Sequence, residues 1–113
     1  MKHFKNLTDA NFHHTLAQSA GVSLVMFSGP DCGTCRTVEK LLPAAAGDKV
    51  AHLYQVDVQH SMGLARQYEV FHLPSLFLFV NGHFHAALDS EVTPVKIQTA
   101  IERVLAQPAE EEP

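Results

Sequence analysis

From Val22 to Phe27 the chain reads VSLVMF, with one polar side chain in six positions. A strand with one face in water alternates polar and apolar residues. This run does not, so it suits a strand covered on both faces, as in a parallel sheet with helices above and below. The residues that follow, SGPDCGTCR from Ser28 to Arg36, hold the two cysteines of the chain with two residues between them. Beyond Cys32 the periodicity turns helical, with Val38, Leu41 and Leu42 spaced three and four apart. A buried strand that hands over directly to a helix is the first half of a βαβ unit.

The rest of the chain repeats that alternation. Lys2 to Lys5 reads as a short first strand. Thr8 reads as the N-cap of a helix that runs to about Gln18, with Phe12 and Leu16 on its apolar face. Pro43 lies inside the helix after the cysteines and is expected to bend or end it, because it cannot donate to the Glu39 carbonyl. Val50 to Val58 is β-rich, Met62 to Tyr68 is a short amphipathic helix, and Leu76 to Val80 is another strand. Asn81-Gly82 is a two-residue hairpin signal, which makes His83 to Leu88 the returning strand. Thr93 caps and Pro94 opens a last helix with Ile97, Ala100, Ile101, Val104 and Leu105 on one face. Alternation followed by a hairpin predicts an α/β fold with a mixed central sheet and helices on both faces. One domain over residues 1–106 accounts for all of this, and the polar segment 107–113, QPAEEEP, is expected to be disordered.

The length of 113 residues suffices for one core without staples. A net charge of −4 gives no reason to expect nucleic acid or an anionic membrane as partner. No stretch is long and apolar enough to span a bilayer. The opening MKHFKNLTDANF lacks the apolar core of a secretory signal. A cytoplasmic, monomeric protein is therefore expected, and in that compartment a close cysteine pair is more often catalytic or metal-binding than structural.

The position of the pair decides its chemistry. The first turn of a helix offers free N–H groups and a partial positive charge, which stabilise a thiolate. A cysteine there can have its pKa lowered from about 8.5 to about 3.5–7.5. Cys35 is one helical turn on and faces the same way, so the two sulfurs can join with little backbone movement. Cys32 would attack a disulfide and Cys35 would resolve the mixed intermediate. Two other uses stand beside this one. A structural disulfide over so short a loop gains little. A zinc site would need histidines to complete a Cys-Cys-His-His set, and none of the eight lies close in sequence to the cysteines, although His83 and His85 would share a strand face.

Taken together, LTDANF, SLVMFSGPDCGTCR, YQVDV, LARQYEV and HLPSLFLFVNG resemble the thioredoxin family from about Lys2 to Ala106. The resemblance implies the thioredoxin fold and thiol–disulfide exchange without a cofactor or metal. It implies disulfide-bearing protein substrates and a separate electron donor such as a thioredoxin-reductase-like enzyme. It matches Pro74 to the family's cis-proline, which with Leu73 binds the substrate peptide beside Cys32 and Cys35. It also gives Asp31, Gly33 and Thr34 the role of tuning the redox poise.

Several positions depart from the family pattern. Asp31 stands where a tryptophan is usual. Its charge opposes a thiolate at Cys32, and as an N-cap it would compete for the same N–H groups. Thr34 stands where proline is usual and restores an N–H and a hydroxyl near the sulfurs, which favours the thiolate. Met26 replaces a buried aspartate that assists proton transfer at the second cysteine, and Gln55 falls at or near its accompanying lysine. Lys40 replaces the helix-kinking proline, and Ser90 a glycine beside the groove. These losses leave a second reading open, that of a thioredoxin-fold adaptor or chaperone whose cysteines regulate binding through the surface around Leu73 and Pro74.

Overall fold

The computed structural model describes residues 2–113. Its sheet has five strands, β1 (Phe4–Leu7), β2 (Val22–Ser28), β3 (His52–Asp57), β4 (Ser75–Val80) and β5 (His83–Leu88), in the order β1-β3-β2-β4-β5. The apolar run is the central strand. β2 pairs parallel with β3 and antiparallel with β4, and every residue from Ser23 to Ser28 is buried. The sheet is mixed because β1, β2 and β3 run parallel, whereas β4 runs antiparallel to β2 and β5 returns from β4 through the tight Asn81-Gly82 turn. Both turn residues have positive φ, 50° and 82°. A side chain on Gly82 would also meet the Leu16 carbonyl oxygen at 2.7 Å, so that position requires glycine twice over.

Helices α1 (Phe12–Ala17) and α3 (Met62–Gln67) cover one face, and α2 (Gly33–Ala46) and α4 (Pro94–Leu105) cover the other. The α1 side holds an aromatic cluster in which Phe12, Phe27, Tyr68, Phe77, Phe79 and Phe84 meet mostly edge-on or tilted, with Tyr68 stacked on Phe84. The α2 side is aliphatic, built on Leu24, Met26, Val38, Leu42, Leu53, Leu78, Ile97 and Ile101. Alternation along β2 divides the two cores: Leu24 and Met26 point to one, Val25 and Phe27 to the other.

Three local expectations need correction. The first strand begins at Phe4, not Lys2. Thr8 does not cap α1; it closes a turn, accepting from Asn11 N and Phe12 N, and the helix starts behind Asn11. Of the two outcomes expected at Pro43, ending the helix is excluded: α2 runs on to Ala46, its following turn held by the buried Ala45 and Ala46. Segment 107–113 has no helix or strand, but it is tied to the domain. Glu110 N donates to the His85 carbonyl at 2.6 Å, Ala87 N donates to Glu110 Oε1 at 3.2 Å, and the Tyr68 hydroxyl donates to Glu112 Oε2 at 2.7 Å. The acceptors and donors it meets belong to an open sheet edge and a buried phenol, both of which need partners.

Candidate redox site

At the end of β2 the chain leaves the sheet through Gly29, Pro30 and Asp31 and enters α2. The N-cap of α2 is Cys32. Its backbone is extended, with φ −108° and ψ 100°, and its sulfur accepts from Cys35 N at 3.1 Å. A sulfur thus occupies the place that a Ser or Asp oxygen takes in an ordinary cap, facing the free N–H groups of the first turn. This corrects one reading of Asp31: it is exposed and is not the cap, so it does not compete for those groups.

Cys32 and Cys35 are joined as a disulfide with their Cα atoms 5.2 Å apart. Their environments differ. Cys35 is only 3 % exposed, whereas Cys32 is partly open to solvent. Only the leading sulfur can meet a large disulfide, and the second is placed to act on it from below. Gly33 and Thr34 are exposed in the first turn, and the Thr34 hydroxyl makes no hydrogen bond to either sulfur. Arg36 steadies the loop by donating from its guanidinium to the Pro30 carbonyl at 3.4 Å.

The Leu73–Pro74 peptide is cis, as the family resemblance implies. The loop reaches the cysteine stretch because Ser75 pairs with Phe27 across the β2–β4 ladder, so the preceding residues run beside the exit of β2. Contact is close at Gly29, where an added Cβ would sit 3.1 Å from Leu73 Cδ1 and 3.9 Å from Val58 Cγ2. Ser75 Oγ closes the loop on the His72 carbonyl at 2.7 Å.

Beneath the site, Met26 is fully buried and pairs with Gln55 on β3. Gln55 Nε2 donates to Ser28 Oγ at 2.8 Å. Residues 26, 28 and 55 share one sheet face by alternation. An uncharged amide–hydroxyl pair therefore stands on the face where the family pattern has a carboxylate and a lysine. The sequence reading singled out Met26 and Gln55 but not Ser28, Gly29 or Val58. The signal for Ser28 was its place one pleat beyond Met26. Among the described residues no group of three or more His, Cys, Asp or Glu side chains is placed to hold a metal ion.

The buried strand, the cap sulfur and the cis-proline loop meet at one point of the fold. The family model Thioredoxin matches residues 3–103. The chain belongs to the thioredoxin family. It is 33 % identical over 78 residues to a thioredoxin of Staphylococcus saprophyticus, covering 67 % of this chain and 73 % of that one. It is 30 % identical over 99 residues to protein disulfide isomerase-like 1-3 of Arabidopsis thaliana, covering 86 % of this chain and 17 % of the relative. A solved structure of human ERp44 in a zinc-bound form superposes with a TM-score of 0.74 at 19 % identity, over 88 % of this chain and 31 % of that one, which shows the shared fold. As a thioredoxin-family domain with a redox-active cysteine pair, the chain is a thiol–disulfide oxidoreductase.

Proposed function

We propose that this thioredoxin-family chain reduces disulfides of protein substrates, in a cytoplasmic setting and as a monomer. Cys32 is the nucleophile in this reading and Cys35 the resolving thiol. The Cys32 thiolate forms a bond to one substrate sulfur, the substrate S–S bond breaks, and the departing thiolate takes a proton. Cys35 then gives up its proton and attacks the Cys32 sulfur. The second substrate thiol leaves, and the Cys32–Cys35 bond closes. The substrate gains two electrons from this chain and two protons, one from Cys35 and one from solvent, so a separate disulfide-reducing donor of the thioredoxin-reductase kind must restore the dithiol. Leu73 and Pro74 hold the substrate backbone beside Cys32, while Asp31, Gly33 and Thr34 set the poise.

The observation that carries this reading is the cap: a partly exposed sulfur that accepts from the first turn of α2, with a buried second sulfur one turn on. An adaptor needs a binding surface but has no use for that asymmetry. The test is insulin reduction with dithiothreitol as donor. The chain is expected to speed precipitation of the insulin B chain, and the Cys32→Ser variant to lie on the uncatalysed baseline. Equal rates for the two proteins would remove the reductase reading and leave the adaptor in its place.

A further inference from the structure

β5 is the outer strand of the sheet, and its far edge presents backbone groups that β4 cannot reach. The β4–β5 register breaks there. Leu78 pairs with Ala86 and Phe79 with Phe84, so His85 is an extra residue with no partner on β4. Its carbonyl is taken by Glu110 N, and the side chain of the same glutamate accepts from Ala87 N. Glu110 therefore spans two backbone groups of the edge by itself. Two residues on, Glu112 accepts from the hydroxyl of Tyr68, whose ring lies in the aromatic core and is 2 % exposed. Burial, and then the hydrogen bond and charge of Glu112, push that phenol well above its ordinary value, so it stays a donor at any working pH.

These ties place the segment beside the substrate loop. A concavity of about 310 Å³ is lined jointly by Glu111 and Pro113 of the segment, by His72 and Ser75 on either side of Leu73–Pro74, and by Glu69 and Asp89. We propose that segment 107–113 is a strap, docked on the β5 edge and on Tyr68, that narrows the approach of protein disulfides to the Leu73–Pro74 loop and opens it on release. This gate rests on the disulfide-reductase reading above. A small disulfide needs only the exposed face of Cys32 and passes the strap freely. A folded or extended protein substrate must lie across the loop and its flank. The strap adds carboxylates to a flank that already holds Glu69 and Asp89, so acidic substrate segments are opposed most.

The experiment uses the full chain and the double substitution Glu110→Ala, Glu112→Ala, with Glu111→Ala as control because it breaks none of the three bonds. Each lost bond is expected to favour the released state by about fivefold. Hydrogen exchange at the Ala87 amide should therefore be slow in the parent and in Glu111→Ala, and about 25-fold faster in the double variant, which loses two such bonds. The kcat/KM for insulin should rise about fivefold in the double variant, while that for 2-hydroxyethyl disulfide stays unchanged. Equal Ala87 exchange in all three proteins would overturn the docking. Protected Ala87 in the parent with equal insulin rates throughout would overturn the gate. If no protein reduced either disulfide, the gate would fall with the reductase reading, and Ala87 exchange would still report separately whether the strap is docked.

Discussion

With Cys35 replaced by serine, turnover of a protein disulfide is expected to fall on the order of a thousandfold, and a covalent adduct through Cys32 to accumulate. The asymmetry of burial dictates this. Cys32 is the sulfur open to a large partner, and Cys35, 3 % exposed, can reach only Cys32. Removing the second sulfur leaves the first step intact and deletes the second. The adduct should appear in intact-mass spectra as the sum of the variant and one substrate chain, and dithiothreitol should dissolve it. The Cys32→Ser protein should form none. Adducts through Cys35 instead would mean that the order of attack is reversed.

The second large effect is expected at Met26→Asp. Met26 is fully buried among aliphatic side chains of the α2 face. A carboxylate there loses its hydration without a cation to replace it, because the neighbouring strand offers Gln55, whose amide already serves Ser28. Folding at pH 7 is expected to weaken by about 3–5 kcal/mol. The loss has a definite pH dependence. Burial raises the carboxyl pKa of the folded state above its unfolded value of about 3.9. The charge part of the penalty is therefore absent below about pH 3.9, where only the cost of burying a smaller, neutral polar group remains; it grows by about 1.4 kcal/mol per pH unit above that and levels off past the folded pKa. Urea unfolding at pH 4 and pH 8 checks this, and equal costs at the two would contradict it. The same substitution supplies a proton acceptor on the face beneath the cysteines. Release of the mixed disulfide is expected to quicken by about tenfold or more in stopped flow. An unchanged release rate would show that the parent does not lack such a group.

Much of the fold was legible because local chemistry and tertiary need agreed. The unbroken apolar run of β2, the Asn81-Gly82 hairpin and the Thr93-Pro94 start of α4 each have one physical solution, and each is observed. The cysteine spacing fixed the pair at the strand–helix junction. What escaped was decided by partners distant in sequence. Read as a plain strand, HFHAAL places Phe84, Ala86 and Leu88 on one face. The bulge at His85 instead sends Phe84 to the aromatic core and the other two to the aliphatic one. The tethering of 107–113 likewise needs a bulged edge and a buried phenol that no local pattern in QPAEEEP reveals. Asp31 is the better cap by residue type, yet the path of the loop gives that place to Cys32. The approach of Leu73 to Gly29 was readable only through the family likeness, since about forty residues separate them in the chain.

The most direct test is a titration of the reduced protein, following thiolate absorbance at 240 nm with Cys35→Ser used to isolate Cys32. If the sulfur at the head of α2 draws on the free N–H groups there, its pKa lies below the free value of about 8.5, at roughly 7.5 or lower. A Cys32 that titrates at 8.5 or above would contradict the account, whatever the fold around it.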